Sequence, residues 1–196
     1  MRVLAFLFCI LGSALCAAAA LAAPKVTIKS TKFDVSGKTG AAILRDLDRR
    51  GPKHGFMTRA IAQTRYTMNS EADWKHEDGV CFVTRPLVNL DITYIYPNLK
   101  GPVPADLNAR WRRFMASVTK HEEMHGRIAR EMAVAAERAV GKIRVKDGRN
   151  CGAFQAELKR TVAAIVANYE QRQRDFDTAE HKDGGPIEGI IKRLVK

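Results

Sequence analysis

The chain has 196 residues, with 33 Lys and Arg against 21 Asp and Glu, a net charge of +12 and 46% hydrophobic residues. That length suits one domain with a real hydrophobic core, and the composition is neither low-complexity nor disordered. The basic excess raises nucleic acid as a partner. The Lys and Arg are instead spread along the chain without interleaved aromatics, so they fit a soluble basic face or an anionic envelope surface better.

The first element in chain order is a leader. Met1-Arg2 supplies charge, residues 3–20 are almost wholly apolar, and Ala20-Leu21-Ala22 offers a processing site. Roughly 18 apolar residues could span a bilayer. The small residues and the cleavage pattern favour removal after Ala22, leaving residues 23–196 as one exported domain, periplasmic or extracellular, with no stable membrane anchor. Cys9 and Cys16 leave with the leader. Cys81 and Cys151 remain, and two leftover thiols in an oxidising compartment are expected to pair. A sulfur-ligated metal would call for closer C-x-x-C spacing.

Strands come next. Val26, Ile28, Phe33 and Val35 keep a period of two. Thr39 is placed to cap a short helix over residues 40–50, stopped by Gly51-Pro52. Ala60, Ala62, Thr64, Tyr66 and Met68 alternate with polar residues. A third run, residues 80–84, is expected to break near Pro86, and a fourth carries Val88, Leu90, Ile92, Tyr94 and Tyr96. His54 and His76 sit in polar, turn-like surroundings and read as exposed. These runs predict a small antiparallel sheet.

After Pro104 the period changes to three or four. Leu107, Trp111, Phe114, Val118, His121, His125, Ile128, Met132, Ala135 and Ala139 form one stripe of a long amphipathic helix. A turn at Lys146-Asp147-Gly148 leads to a second helix, with Phe154, Leu158, Val162, Ile165, Tyr169 and Phe176 inward, ended by Gly184-Gly185-Pro186. The expected class is α+β, a small antiparallel sheet followed by two long packed helices, with one disulfide.

The chemistry-bearing motif is His121-Glu122-Glu123-Met124-His125. Histidines four apart project from one helix face and can reach one zinc ion at about 2.0–2.1 Å. Glu122, about 100° around the axis, flanks them where a general base would take a proton from an attacking water. The chain's own His and Glu content makes this pattern a chance event at roughly 0.006 occurrences. Two unmetallated imidazoles in a core stripe would each need hydrogen-bond partners, which weakens the purely structural alternative. For a third ligand, Glu131 lies some 12 Å along the axis on another face and reads as a surface charge. His181 is the better candidate, provided the second helix ends or bends before it, because an unbroken helix sets it about 120° from Tyr169; a surface histidine in a polar tail is the alternative. Asp177 would orient His181 or bind the metal itself, with Glu170 and Glu180 behind it. Tyr169 is a candidate oxyanion donor, though a core tyrosine suits its position as well. Trp74 and Trp111 read as packing residues.

These residues resemble a family. Phe33-Asp34-Val35-Ser36-Gly37-Lys38-Thr39, Gly51-Pro52, Cys81, Trp111, the His121–His125 motif, Cys151 and Phe176-Asp177 followed by His181 look like the bacterial predicted secreted zinc-dependent proteases, catalogued as domain of unknown function 922. Glycine does not directly follow His181, a departure from the family's pattern. The resemblance implies a zincin-like fold and a zinc-dependent peptidase acting on a peptide or protein. Glu122 is the expected base, Zn2+ is expected on His121, His125 and His181, and substrate is expected as an added strand on the sheet edge. Two alternatives stand beside it: a zinc-binding envelope protein without turnover, and an amidase acting on cell-wall peptide.

Overall fold

A computed structural model describes residues 23–54, 58–147 and 150–196; the expected leader, residues 1–22, lies outside the described residues, as does the side chain of His54. In chain order the elements are β1 (Lys25–Ser36), α1 (Gly40–Arg50), β2 (Lys53–His54), β3 (Thr58–Arg59), β4 (Gln63–Glu77), β5 (Val80–Lys100), α2 (Ala105–Val140), β6 (Arg144–Lys146), α3 (Gly152–His181) and α4 (Pro186–Val195). The fold is α+β, as the change of period implied.

The main sheet runs β1-β5-β4, with β6 added on β5. β4 and β5 form a hairpin whose ends pair at Glu77 and Val80. The two loop residues, Asp78 and Gly79, have φ of 51° and 72°. That is the left-handed pair a tight hairpin turn requires, and Asp-Gly supplies it at low cost. β1 pairs with β5 in parallel, from Lys25 opposite Asn89 to Ser36 opposite Lys100. The sheet is therefore mixed, which corrects the antiparallel expectation. Alternation fixes which face a residue takes but not the direction of its neighbour. The break expected near Pro86 is also absent, because β5 continues through it. The register shifts just before it, where Asp73 faces Arg85 and Trp74 faces Val83, leaving Thr84 as the extra residue of a bulge.

α1 begins where Thr39 Oγ1 accepts from the Ala42 N–H at 3.2 Å. Asp46 fixes it to the end of β1 by accepting from the Ser36 N–H at 2.9 Å. Arg49 beside that carboxylate, together with the Ser36 bond, holds its pKa down at about 2.

α2 is 36 residues long, about 54 Å of helix, and lies across β5 and β4. Its small residues Ala129, Ala133 and Ala136 pack on Val88, Leu90 and Ile92 of β5. At Gly126 the approach is closest, since a Cβ there would lie 1.9 Å from Tyr94 Oη. Gly126→Ala should therefore destabilise the fold by about 1–3 kcal/mol despite alanine's better helix propensity. A thermal melt checks this, and an unchanged or raised Tm would contradict the packing.

Cys81 and Cys151 form the expected disulfide, tying the start of β5 to the start of α3, with Cα atoms 5.9 Å apart. α3 packs along α2 as predicted, but it stays unbroken to His181 and is capped by an extended Lys182. Past Gly184-Gly185 the chain forms α4, a helix absent from the sequence reading. Its Ile187, Ile190 and Leu194 complete a core with Val35, Ile43, Leu47 and Trp111. Trp74 is 43% exposed, with its ring against Phe154. None of the described helices is long and apolar enough to cross a membrane.

Candidate metal centre

The α2 stripe that carries His121 and His125 faces α3. Gln173, Phe176, Asp177, Glu180 and His181 sit at positions i, i+3, i+4, i+7 and i+8 of α3, so an unbroken helix presents all five on one side. The two stripes meet. The His121 and His125 side chains are 9% and 13% exposed, and the Phe176 ring packs 4.9 and 5.1 Å from theirs.

Gln173, itself buried, sets the state of His125. Its Nε2 donates to the His125 backbone carbonyl at 3.0 Å, which turns Oε1 toward the ring, 2.6 Å from Nδ1. Nδ1 must therefore carry the proton, leaving a lone pair on Nε2 of the neutral ring. That Nε2 lies 2.9 Å from Asp177 Oδ1 and 3.2 Å from His121 Nε2. His121 Nε2 in turn lies 3.4 Å from the same Asp177 oxygen. Three electron-rich atoms cannot share so small a space without a cation or a proton between them. Ligands held about 2.0–2.1 Å from a tetrahedral ion stand roughly 3.3–3.4 Å apart, close to these three separations. His121, Asp177 and His181 each also place a ligand atom within 4.8 Å of the others. The histidine and aspartate cluster can coordinate a metal ion.

Electrostatics agree. Burial alone would raise the Asp177 pKa, but the His121 and His125 rings, which donate to it once protonated, hold it far below the usual carboxylate range. Burial pushes His125 down, yet Asp177 and Gln173 together carry it above an ordinary imidazole. His181 goes down, through burial and the neighbouring His121. His121 Nδ1 is buried without a hydrogen-bond partner, and its nearest carboxylate oxygen is Glu180 Oε2 at 3.8 Å. An imidazole that binds a metal through Nε2 needs an acceptor at Nδ1, and Glu180 stands where one would be.

Glu122, about 100° around the axis from His121, turns toward the sheet instead of α3. It is 6% exposed, and its Oε2 lies 2.7 Å from the Thr64 hydroxyl of β4, which is also 3.0 Å from the Glu122 backbone carbonyl. Together with burial, its charge helps push the Tyr96 phenol up. Tyr169 is half-buried beneath the Arg172 guanidinium, 4.6 Å from the ring centre. Glu131 is exposed as expected but bridges the two helices, pairing with Arg172 at 2.6 Å. His76 is exposed on β4.

The structure thus gathers His121, His125, Asp177 and His181. The bend expected before His181 is unnecessary, because His181 is four residues from Asp177, and Asp177, not Tyr169, faces the histidine pair. Gln173 and Thr64 were missed. The Gln173-Asp177-His181 spacing of four was the signal for the first, while nothing local marks Thr64. Residues 30–185, nearly four-fifths of the chain, match the family model described as "Bacterial protein of unknown function (DUF922)", and the chain belongs to that family. Its description carries no activity. No curated protein and no solved structure matches the chain.

Proposed function

We propose that this DUF922 protein is a zinc-binding protein of the cell envelope, its metal held by His121, His125 and Asp177 and closed by His181. The observation that carries the reading is the convergence of His125 Nε2, His121 Nε2 and Asp177 Oδ1 within 3.4 Å of one another, with Gln173 Oε1 held against His125 Nδ1 so that Nε2 of the neutral ring is left to ligate. An all-nitrogen-and-oxygen set with two or three imidazoles suits zinc better than the hard cations, which prefer oxygen alone. Phe176 and the α2–α3 interface exclude water from the rings, so the donors would be held in place before the ion arrives. The envelope location rests on the leader expected over residues 1–22. A zinc titration of chelator-stripped protein should find one tight site per chain; no tight site would overturn the proposal.

A second reading, hydrolysis of a peptide or cell-wall amide, is favoured by one observation, the register of Glu122 between the two histidines. Zinc would supply Lewis-acid polarisation of a carbonyl. Glu122 would take a proton from the attacking water and hand it to the leaving amine, with the Thr64 hydroxyl holding Oε2 in place. The order edge strand β4, motif helix α2 and later ligand helix α3 is compatible with a zincin-like plan, and β4 leaves an edge on which an extended peptide could add as a strand. Binding without turnover is the primary reading because the Glu122 carboxylate is buried toward the sheet and engaged there. Casein and cell-wall fragments are the substrates to try. If either is cleaved, Glu122→Gln should keep its zinc and lose turnover by at least about 100-fold; unchanged turnover would remove Glu122 from the mechanism.

A further inference from the structure

Beside the histidine and aspartate cluster, separated from it by the His121 ring, is a cavity of about 730 Å³. Its walls come from three helices: the α2 turn around His121, the end of α3 at Phe176 and Glu180, and the first two turns of α4. Met124, Phe176, Ile187 and Ile190 make one side apolar. Lys120 and Arg193 line it as well, and neither pairs with a carboxylate among the described residues. Arg193 folds back over its own helix, with Nη1 3.3 Å from where a side chain on Gly189 would begin. Glu180 is the one acid on the wall among the described residues; the Ser117 hydroxyl there donates to the Arg113 backbone carbonyl at 3.3 Å.

We propose that this cavity binds the free C-terminus of a short peptide ending in an apolar residue. The apolar wall takes the last side chain, and Lys120 and Arg193 take the carboxylate as charge-assisted partners. Glu180 takes the preceding amide, whose N–H donates to its carboxylate. The volume is that of a small-ligand site. A plain hydrocarbon acid would satisfy the cations but leave Glu180 facing methylene groups. The inference goes beyond the metal reading and does not rest on it, since every wall atom belongs to the chain.

Calorimetric titration of the protein, zinc-loaded and zinc-free, with N-acetyl-leucine, N-acetyl-leucinamide and octanoate tests it. N-acetyl-leucine should bind both forms, and the neutral amide should bind at least about ten-fold more weakly. The Lys120→Gln/Arg193→Gln double variant should lose the same factor while its zinc content stays unchanged. Equal binding of the amide, octanoate binding as tightly as N-acetyl-leucine, or no binding at all would each overturn the proposal. Zinc content measured on the same samples separates this outcome from failure of the metal site.

Discussion

Replacing Asp177 with alanine should weaken zinc binding by at least about 100-fold, while His181→Ala should cost about ten-fold. The difference follows from position. Asp177 Oδ1 lies 2.9 Å from one imidazole Nε2 and 3.4 Å from the other, so its loss removes a donor that both histidines already face. His181 is exposed and is the last residue of α3, so its ring is less constrained before binding. Gln173→Leu should fall between them, because it releases the tautomer of His125 without deleting a donor. Affinity should also weaken as pH falls. His125 has a raised pKa, so a proton competes with zinc for Nε2 from a pH above that of an ordinary imidazole. Competition against a chromogenic chelator measures all of these. An Asp177→Ala variant that binds zinc like the parent would remove the aspartate from the site.

The second large effect concerns stability and leaves the site alone. The Cys81–Cys151 bond closes a loop of sequence separation 70. Replacing both cysteines with serine should cost roughly 4 kcal/mol through the freed unfolded chain, and lower Tm by roughly 10 °C. Both sulfurs sit in a small core with Val83, Val140, Ile143 and Phe154, so two buried hydroxyls add to the loss. Cys151 lies at the far end of α3, about 39 Å of helix from Asp177. Zinc affinity under conditions where the variant is folded should therefore match the parent. A Tm within about 2 °C of the parent would contradict the assigned role of the bond.

What could be read from the sequence was whatever repeats with a short period. α2 announced itself because one stripe from Leu107 to Ala139 keeps three-or-four spacing, and the same stripe delivered His121 and His125 to one face. The cysteine pair followed from count and from the compartment that the expected leader implies. The parallel seat of β1 beside β5 was not legible, because alternation is blind to strand direction. α4 was hidden by Gly184-Gly185-Pro186, which ends one helix and also starts another: Gly185 takes the N-cap and Pro186 the first helical position, where its missing N–H costs nothing. Asp177 was legible as a possible ligand, but the geometry of His181 was not: taken from Tyr169 it needs a bend, whereas the side of α3 that meets the histidines is the one bearing Gln173 and Asp177. Thr64 lies 58 residues from Glu122, and only the packing of α2 on β4 joins them.

X-ray absorption at the zinc edge of the purified, zinc-loaded protein tests the central claim most directly. The arrangement of His121, His125, Asp177 and His181 predicts four nitrogen or oxygen neighbours at about 2.0–2.1 Å, with outer-shell scattering from at least two imidazole rings. A sulfur neighbour at about 2.3 Å, or a six-oxygen shell without imidazole, would contradict it.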